Sequence, residues 1–136
     1  MQSPATFTGG TGNPPPPNAT ANNSGTPLLV NGVLYMTEPN ALFALDARTG
    51  REIWHYVWRG VPAEMLGNRG AGIYGDWIYF ETADCHLISL ELKTGKERWN
   101  KVIADVKQDH WCSEVPLIVR NHVVVGVGGD FLDMAN

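Results

Sequence analysis

The stretch Leu42–Trp54 (Leu-Phe-Ala-Leu-Asp-Ala-Arg-Thr-Gly-Arg-Glu-Ile-Trp) returns as Leu87–Trp99 (Leu-Ile-Ser-Leu-Glu-Leu-Lys-Thr-Gly-Lys-Glu-Arg-Trp) at a constant offset of 45. Each copy runs from apolar residues through an acid, then Thr-Gly, a base, a Glu and a closing Trp. Repetition at such a period marks a fold assembled from identical supersecondary units. The flanks repeat as well. Ile73–Tyr79 matches Leu29–Tyr35 at offset 44, and one extra residue within Glu81–Cys85 brings the offset to 45. Pro116–Val124 matches Pro27–Tyr35 at offset 89, so a third unit begins. Asn136 falls before that unit reaches its Thr-Gly and Trp.

Within one unit the pattern is that of short strands. Leu28–Val30 is followed by Asn31-Gly32, a pair suited to a type I′ turn, where both central residues need positive φ. Val33–Thr37 returns, Glu38-Pro39-Asn40 turns, Leu42–Asp46 forms a third strand, Ala47–Gly50 turns again, and Glu52–Trp58 is a fourth. The runs are β-branched or aromatic and end in Gly or Asn turns, which disfavours a helical repeat. Four antiparallel strands in a meander, repeated at this spacing, make an all-β chain of β-propeller blades. We expect blades at 26–58 and 70–103 and an incomplete one at 115–136, about two and a half in all, after a flexible Pro-, Asn- and Gly-rich segment at 1–25.

The repeated motif has an architectural purpose. Gly50 and Gly95 supply positive φ in the third turn. Asp46 and Glu91 can accept hydrogen bonds from turn N–H groups, with Asp the better fit because its side chain is short. Trp54 and Trp99 each offer a broad flat area to the next blade and an indole N–H that needs an acceptor.

Charge and composition narrow the function. A net charge of −4 without a basic cluster argues against a nucleic-acid or anionic-membrane surface. No apolar run approaches the length of a membrane span. No signal peptide is visible at Met1-Gln2-Ser3-Pro4. His55, His86, His110 and His122 share no ligand spacing, so a zinc site is not expected. Asp105, Asp109 and Glu114 look like loop acids at a blade junction. Cys85 and Cys112 leave pairing open, and the default reading is two unlinked, partly buried side chains.

Four segments occur in a telling order: Thr26–Tyr35, Ala44–Gly50, Asn68-Arg69-Gly70 and Gly126–Asp130. Together they resemble the pyrroloquinoline quinone (PQQ) dependent alcohol dehydrogenases, the methanol and ethanol dehydrogenase family, over about residues 26–136. The resemblance implies an eight-bladed periplasmic propeller with PQQ on its axis beside Ca²⁺ or a lanthanide. It also implies hydride transfer from a primary alcohol or related substrate, with electrons passing to a cytochrome c. The chain would be a segment from the N-terminal part of such an enzyme and would not turn over by itself, since the catalytic Asp lies in later blades.

Carried over residue by residue, Arg69 takes the place of the arginine that reaches the quinone oxygens. A cationic fork suits an anionic, carbonyl-rich cofactor. Ser113 falls where the family has a PQQ-bonding Thr. Gly128 and Gly129 would let backbone approach the cofactor, and Asp130 would be the metal ligand. Three departures stand out. Ser24 or Gly25 replaces a Glu that touches PQQ, residues 63–66 lack the family's adjacent cysteines, and Val127 replaces a Ser. The alternative reading is a PQQ-like propeller without cofactor, a scaffold for protein partners.

Overall fold

The computed structural model describes residues 25–60, 68–108 and 110–128. Ten strands are formed among them: β1 (Leu28–Val30), β2 (Val33–Glu38), β3 (Ala41–Asp46), β4 (Glu52–Val57), β5 (Gly72–Tyr74), β6 (Trp77–Glu81), β7 (His86–Glu91), β8 (Glu97–Val102), β9 (Leu117–Val119) and β10 (His122–Val124). They make two four-stranded antiparallel sheets, β1-β2-β3-β4 and β5-β6-β7-β8, and a two-stranded sheet of β9 and β10. These are two complete blades and the opening hairpin of a third. Of the expected flexible segment at 1–25, residues 1–24 lie outside the described residues.

The two complete blades repeat down to single hydrogen bonds. In blade one Asp46 N donates to Arg51 O, Gly50 N to Asp46 O, and Ala47 N to Gly32 O. In blade two Glu91 N donates to Lys96 O, Gly95 N to Glu91 O, and Leu92 N to Asp76 O. The register shift in the outer strand pair recurs too, between Ala44 and Leu45 and between Ser89 and Leu90. The first hairpin has φ 49° at Asn31 and 78° at Gly32, as a type I′ turn requires. Gly50 and Gly95 take φ of 72° and 70°.

One expectation needs correcting. Asp46 Oδ1 accepts from the N–H groups of Arg48 and Thr49, both at 2.9 Å. Glu91 instead accepts from the Thr94 hydroxyl. The extra methylene carries its carboxylate past the turn backbone.

Central strands β3 and β7 are buried on both faces from Ala41 to Leu45 and from Leu87 to Leu90. That explains their unbroken apolar sequence. A strand covered on both faces has no solvent side to mark with polar residues. The interface between the complete blades is one cluster: Tyr35, Leu42, Ala44 and Trp54 from the first meet Ala71, Ile78, Phe80, Ile88 and Leu90 from the second. Trp54 is 9% exposed and donates its indole N–H to Leu92 O at 3.2 Å. Tyr35 Oη donates to the same carbonyl. A Cβ on Gly95 would lie 2.7 Å from Trp54 Cδ2, so this glycine serves both the turn and the docked indole. Trp99 meets Tyr79 of its own blade, with ring centroids 5.9 Å apart.

Candidate functional site

Each propeller blade is joined to the next by a segment that precedes the next blade's first strand. Here three such segments lie side by side at one end of the sheets. Thr26 N donates to Arg69 O at 2.9 Å, and Arg69 N donates to Ser113 O at 3.0 Å. Repeat offsets of 44 and 45 make Gly25, Arg69 and Glu114 the same position in successive units. The fold therefore gathers at one end the two described positions that the resemblance singles out as polar cofactor contacts, Arg69 and Ser113.

The side chain of Arg69 is 58% exposed, and its Nη1 donates to Glu114 Oε1 at 2.5 Å. Asn68, next to it, is buried. Its Nδ2 donates to Glu81 O at 2.7 Å and its Oδ1 accepts from Gly70 N at 2.8 Å, which fixes the turn that presents Arg69. Gly128 pairs with Trp111 through two backbone hydrogen bonds of 2.8 and 2.9 Å. That bridge brings the connection after β10 against the segment leading to Ser113. Gly129 and Asp130 lie outside the described residues, as do residues 61–67 before Arg69. At Gly25, one of the two positions where the resemblance expects a Glu, a Cβ would sit 2.5 Å from Thr37 Oγ1. The packing there admits no side chain without moving Thr37.

Four residues at this end were given no functional role from sequence. Glu114 was read as a loop acid, yet it holds Arg69. The repeat offset carried the signal, because it puts Glu114 at the arginine's own position. Glu81 is fully buried. Its Oε2 accepts from Glu114 N at 3.2 Å, and its Oε1 has no partner among the described residues. Cys85 and Cys112 form a disulfide, with Cα atoms 5.0 Å apart, which corrects the default of unlinked thiols. It ties the β6–β7 connection to the residue before Ser113.

Burial pushes the Glu81 carboxyl up to about 7, helped by the nearby Glu114 carboxylate and opposed by the Glu114 N–H. Between the ordinary value of 4.5 and about 7 the folded chain holds a proton that the unfolded chain has lost. Stability should therefore fall as pH rises through that window and level off above it, with a slope of at most about 1.4 kcal/mol per pH unit. Glu81→Gln should flatten the slope. Urea midpoints across the window check this, and an unchanged slope in the variant would assign it elsewhere.

The residues present suit an anionic cofactor in part. Arg69 offers a half-exposed cationic fork, and Ser113 on the adjoining segment offers a hydroxyl. Glu114 sets a negative charge against that cation. Among the described residues, no group of His, Cys, Asp and Glu could hold a metal ion. No helix among them is long and apolar enough to cross a membrane.

Comparison with known proteins agrees with this architecture. A family profile described as outer membrane protein assembly factor BamB matches residues 17–131. Quinoprotein alcohol dehydrogenase PedH of Pseudomonas putida is 39% identical over 112 residues, 77% of this chain and 19% of that protein. The solved quinohemoprotein alcohol dehydrogenase ADHIIG from Pseudomonas putida HK5 superposes with a TM-score of 0.71 at 33% identity, over 78% of this chain and 17% of that one. BamB from Moraxella catarrhalis shares the fold, with a TM-score of 0.63 at 18% identity over 74% of this chain and 33% of that one. The chain thus spans about a fifth of the length of the quinoprotein dehydrogenases it matches.

Proposed function

The chain belongs to the PQQ-repeat family of β-propellers that includes the quinoprotein alcohol dehydrogenases, and on that premise we propose that it forms part of the cofactor end of a PQQ-dependent dehydrogenase. The substrate would be a primary alcohol or a related compound, and the electron acceptor a cytochrome c. When bound, PQQ supplies the two-electron acceptor for the hydride leaving the alcohol carbon. Arg69 would bind and orient the cofactor's anionic edge. Ser113 would donate a hydrogen bond from the neighbouring segment, and Gly128 and Gly129 would keep backbone close. Asp130 would give an oxygen to Ca²⁺ or a lanthanide. A periplasmic site suits the Cys85–Cys112 disulfide, since such bonds persist in oxidising compartments.

The observation that carries this reading is the lateral hydrogen bonding of Thr26, Arg69 and Ser113, which puts a cation and a hydroxyl on adjacent segments at one end of the blades. Its test is a PQQ titration of the chain followed by the fluorescence of its five tryptophans. We expect saturable quenching, weakened about tenfold or more by Arg69→Ala, in keeping with a charge-assisted pair. Quenching that does not saturate, or equal affinity in the variant, would contradict the reading. The second reading, a scaffold without cofactor, draws on two observations. Arg69 is paired with Glu114, and Ser24 or Gly25 stands where the family has a Glu. It predicts no specific PQQ binding.

A further inference from the structure

Three consecutive residues, Cys112, Ser113 and Glu114, are each fastened by a different link. Cys112 is bonded to Cys85 in the β6–β7 connection. Ser113 O accepts from Arg69 N at 3.0 Å. Glu114 N donates to Glu81 Oε2 at 3.2 Å, at the end of β6. Cys85 and Glu81 flank one turn, so the segment is held against the second blade at both its ends. The Glu114 side chain projects beyond this anchorage and meets the Arg69 guanidinium.

A fully buried carboxylic acid is a costly way to hold one backbone N–H. Glu81 is nevertheless there, with one oxygen lacking a partner among the described residues. The Arg69–Glu114 pair is half exposed, and such pairs contribute little to stability. Its consequence is direction. In the first unit the equivalent position is Gly25, with no side chain, so among these three positions only Glu114 can steer Arg69. The bond uses Nη1 alone, and a guanidinium carries further donors on Nε and Nη2. A fork held at one corner is pre-aimed, and less rotamer freedom is lost when it binds an anion.

We propose that Glu114, seated by the buried Glu81, is a positioning residue that aims Arg69 at the anionic group it binds. The anion is taken as PQQ, so this inference rests on the function proposed above.

Two measurements separate them. The first needs no cofactor. Side-chain ¹⁵N NMR of the chain should show slowed rotation of the Arg69 guanidinium, and Glu114→Ala should abolish it while urea midpoints stay close to wild type. A freely rotating Arg69 in the wild-type chain would overturn the inference whatever binds. The second is the PQQ titration. Glu114→Ala should weaken binding about tenfold, and Glu114→Gln, which keeps an acceptor for Nη1, should restore most of it. Glu81→Leu should act like Glu114→Ala, and Glu81→Gln should be milder. Tighter binding in both Glu114 variants would mean that Glu114 merely repels the anion, and the positioning role would be lost. Restricted Arg69 rotation with no PQQ binding by any form would defeat the cofactor reading, and with it the aim at PQQ.

Discussion

Trp54→Ala is expected to cost about 3–5 kcal/mol of stability, the range for emptying a buried tryptophan site. The indole is almost fully buried, packs against Tyr35 at 6.0 Å between ring centroids, and spans the junction between the complete blades. Its removal opens a cavity against Gly95 and Leu90 and takes away one of two donors to Leu92 O. Trp99→Ala should cost distinctly less. Trp99 is only half-buried, and the ring it meets belongs to its own blade. Urea denaturation of both variants gives the comparison. Equal losses would mean that the repeated tryptophan stabilises its own sheet, not the junction.

The second large effect concerns the disulfide. Replacing Cys85 and Cys112 together by serine should cost about 3.5 kcal/mol, from the chain entropy of a 27-residue loop. Two buried hydroxyls needing partners add to the loss. The effect should reach beyond stability. Cys112 precedes Ser113 and Glu114, so the double variant should also loosen the Arg69–Glu114 pair. A matched pair of urea curves, oxidised and reduced, checks the first part. A reduced chain as stable as the oxidised one would remove the bond from the account.

Most of the fold was legible from the sequence. The repeat offset placed every described strand near its place, because turn chemistry and hydrophobic runs at Asn31-Gly32, Gly50 and Gly95 are local signals. The small misses were local too. Strand β4 closes at Val57, one residue before the expected end at Trp58, whose indole turns to the Asp84 carboxylate, 2.9 Å from each oxygen. Glu91 differs from Asp46 by one methylene and loses the turn N–H groups.

The candidate site was legible in part. The resemblance singled out Arg69 and Ser113 as candidates, and the structure places them on adjoining segments. Glu81 and Glu114 were passed over, because their significance comes from contacts between residues far apart in sequence. Glu81 reaches Glu114 across 33 positions, and Arg69 reaches Glu114 across 45. Nothing local marks a glutamate at a strand end as buried. Pairing of the two cysteines was undecidable for the same reason. Their spacing of 27 becomes a 5.0 Å approach only once β7 and β8 return the chain to its starting end.

The most direct test of the central claim is a crystal structure of this chain with PQQ. We expect the cofactor's anionic edge against the Arg69 guanidinium and within hydrogen-bond reach of the Ser113 hydroxyl, with Glu114 still holding Nη1. PQQ absent from this end, or seated away from both Arg69 and Ser113, would contradict the account.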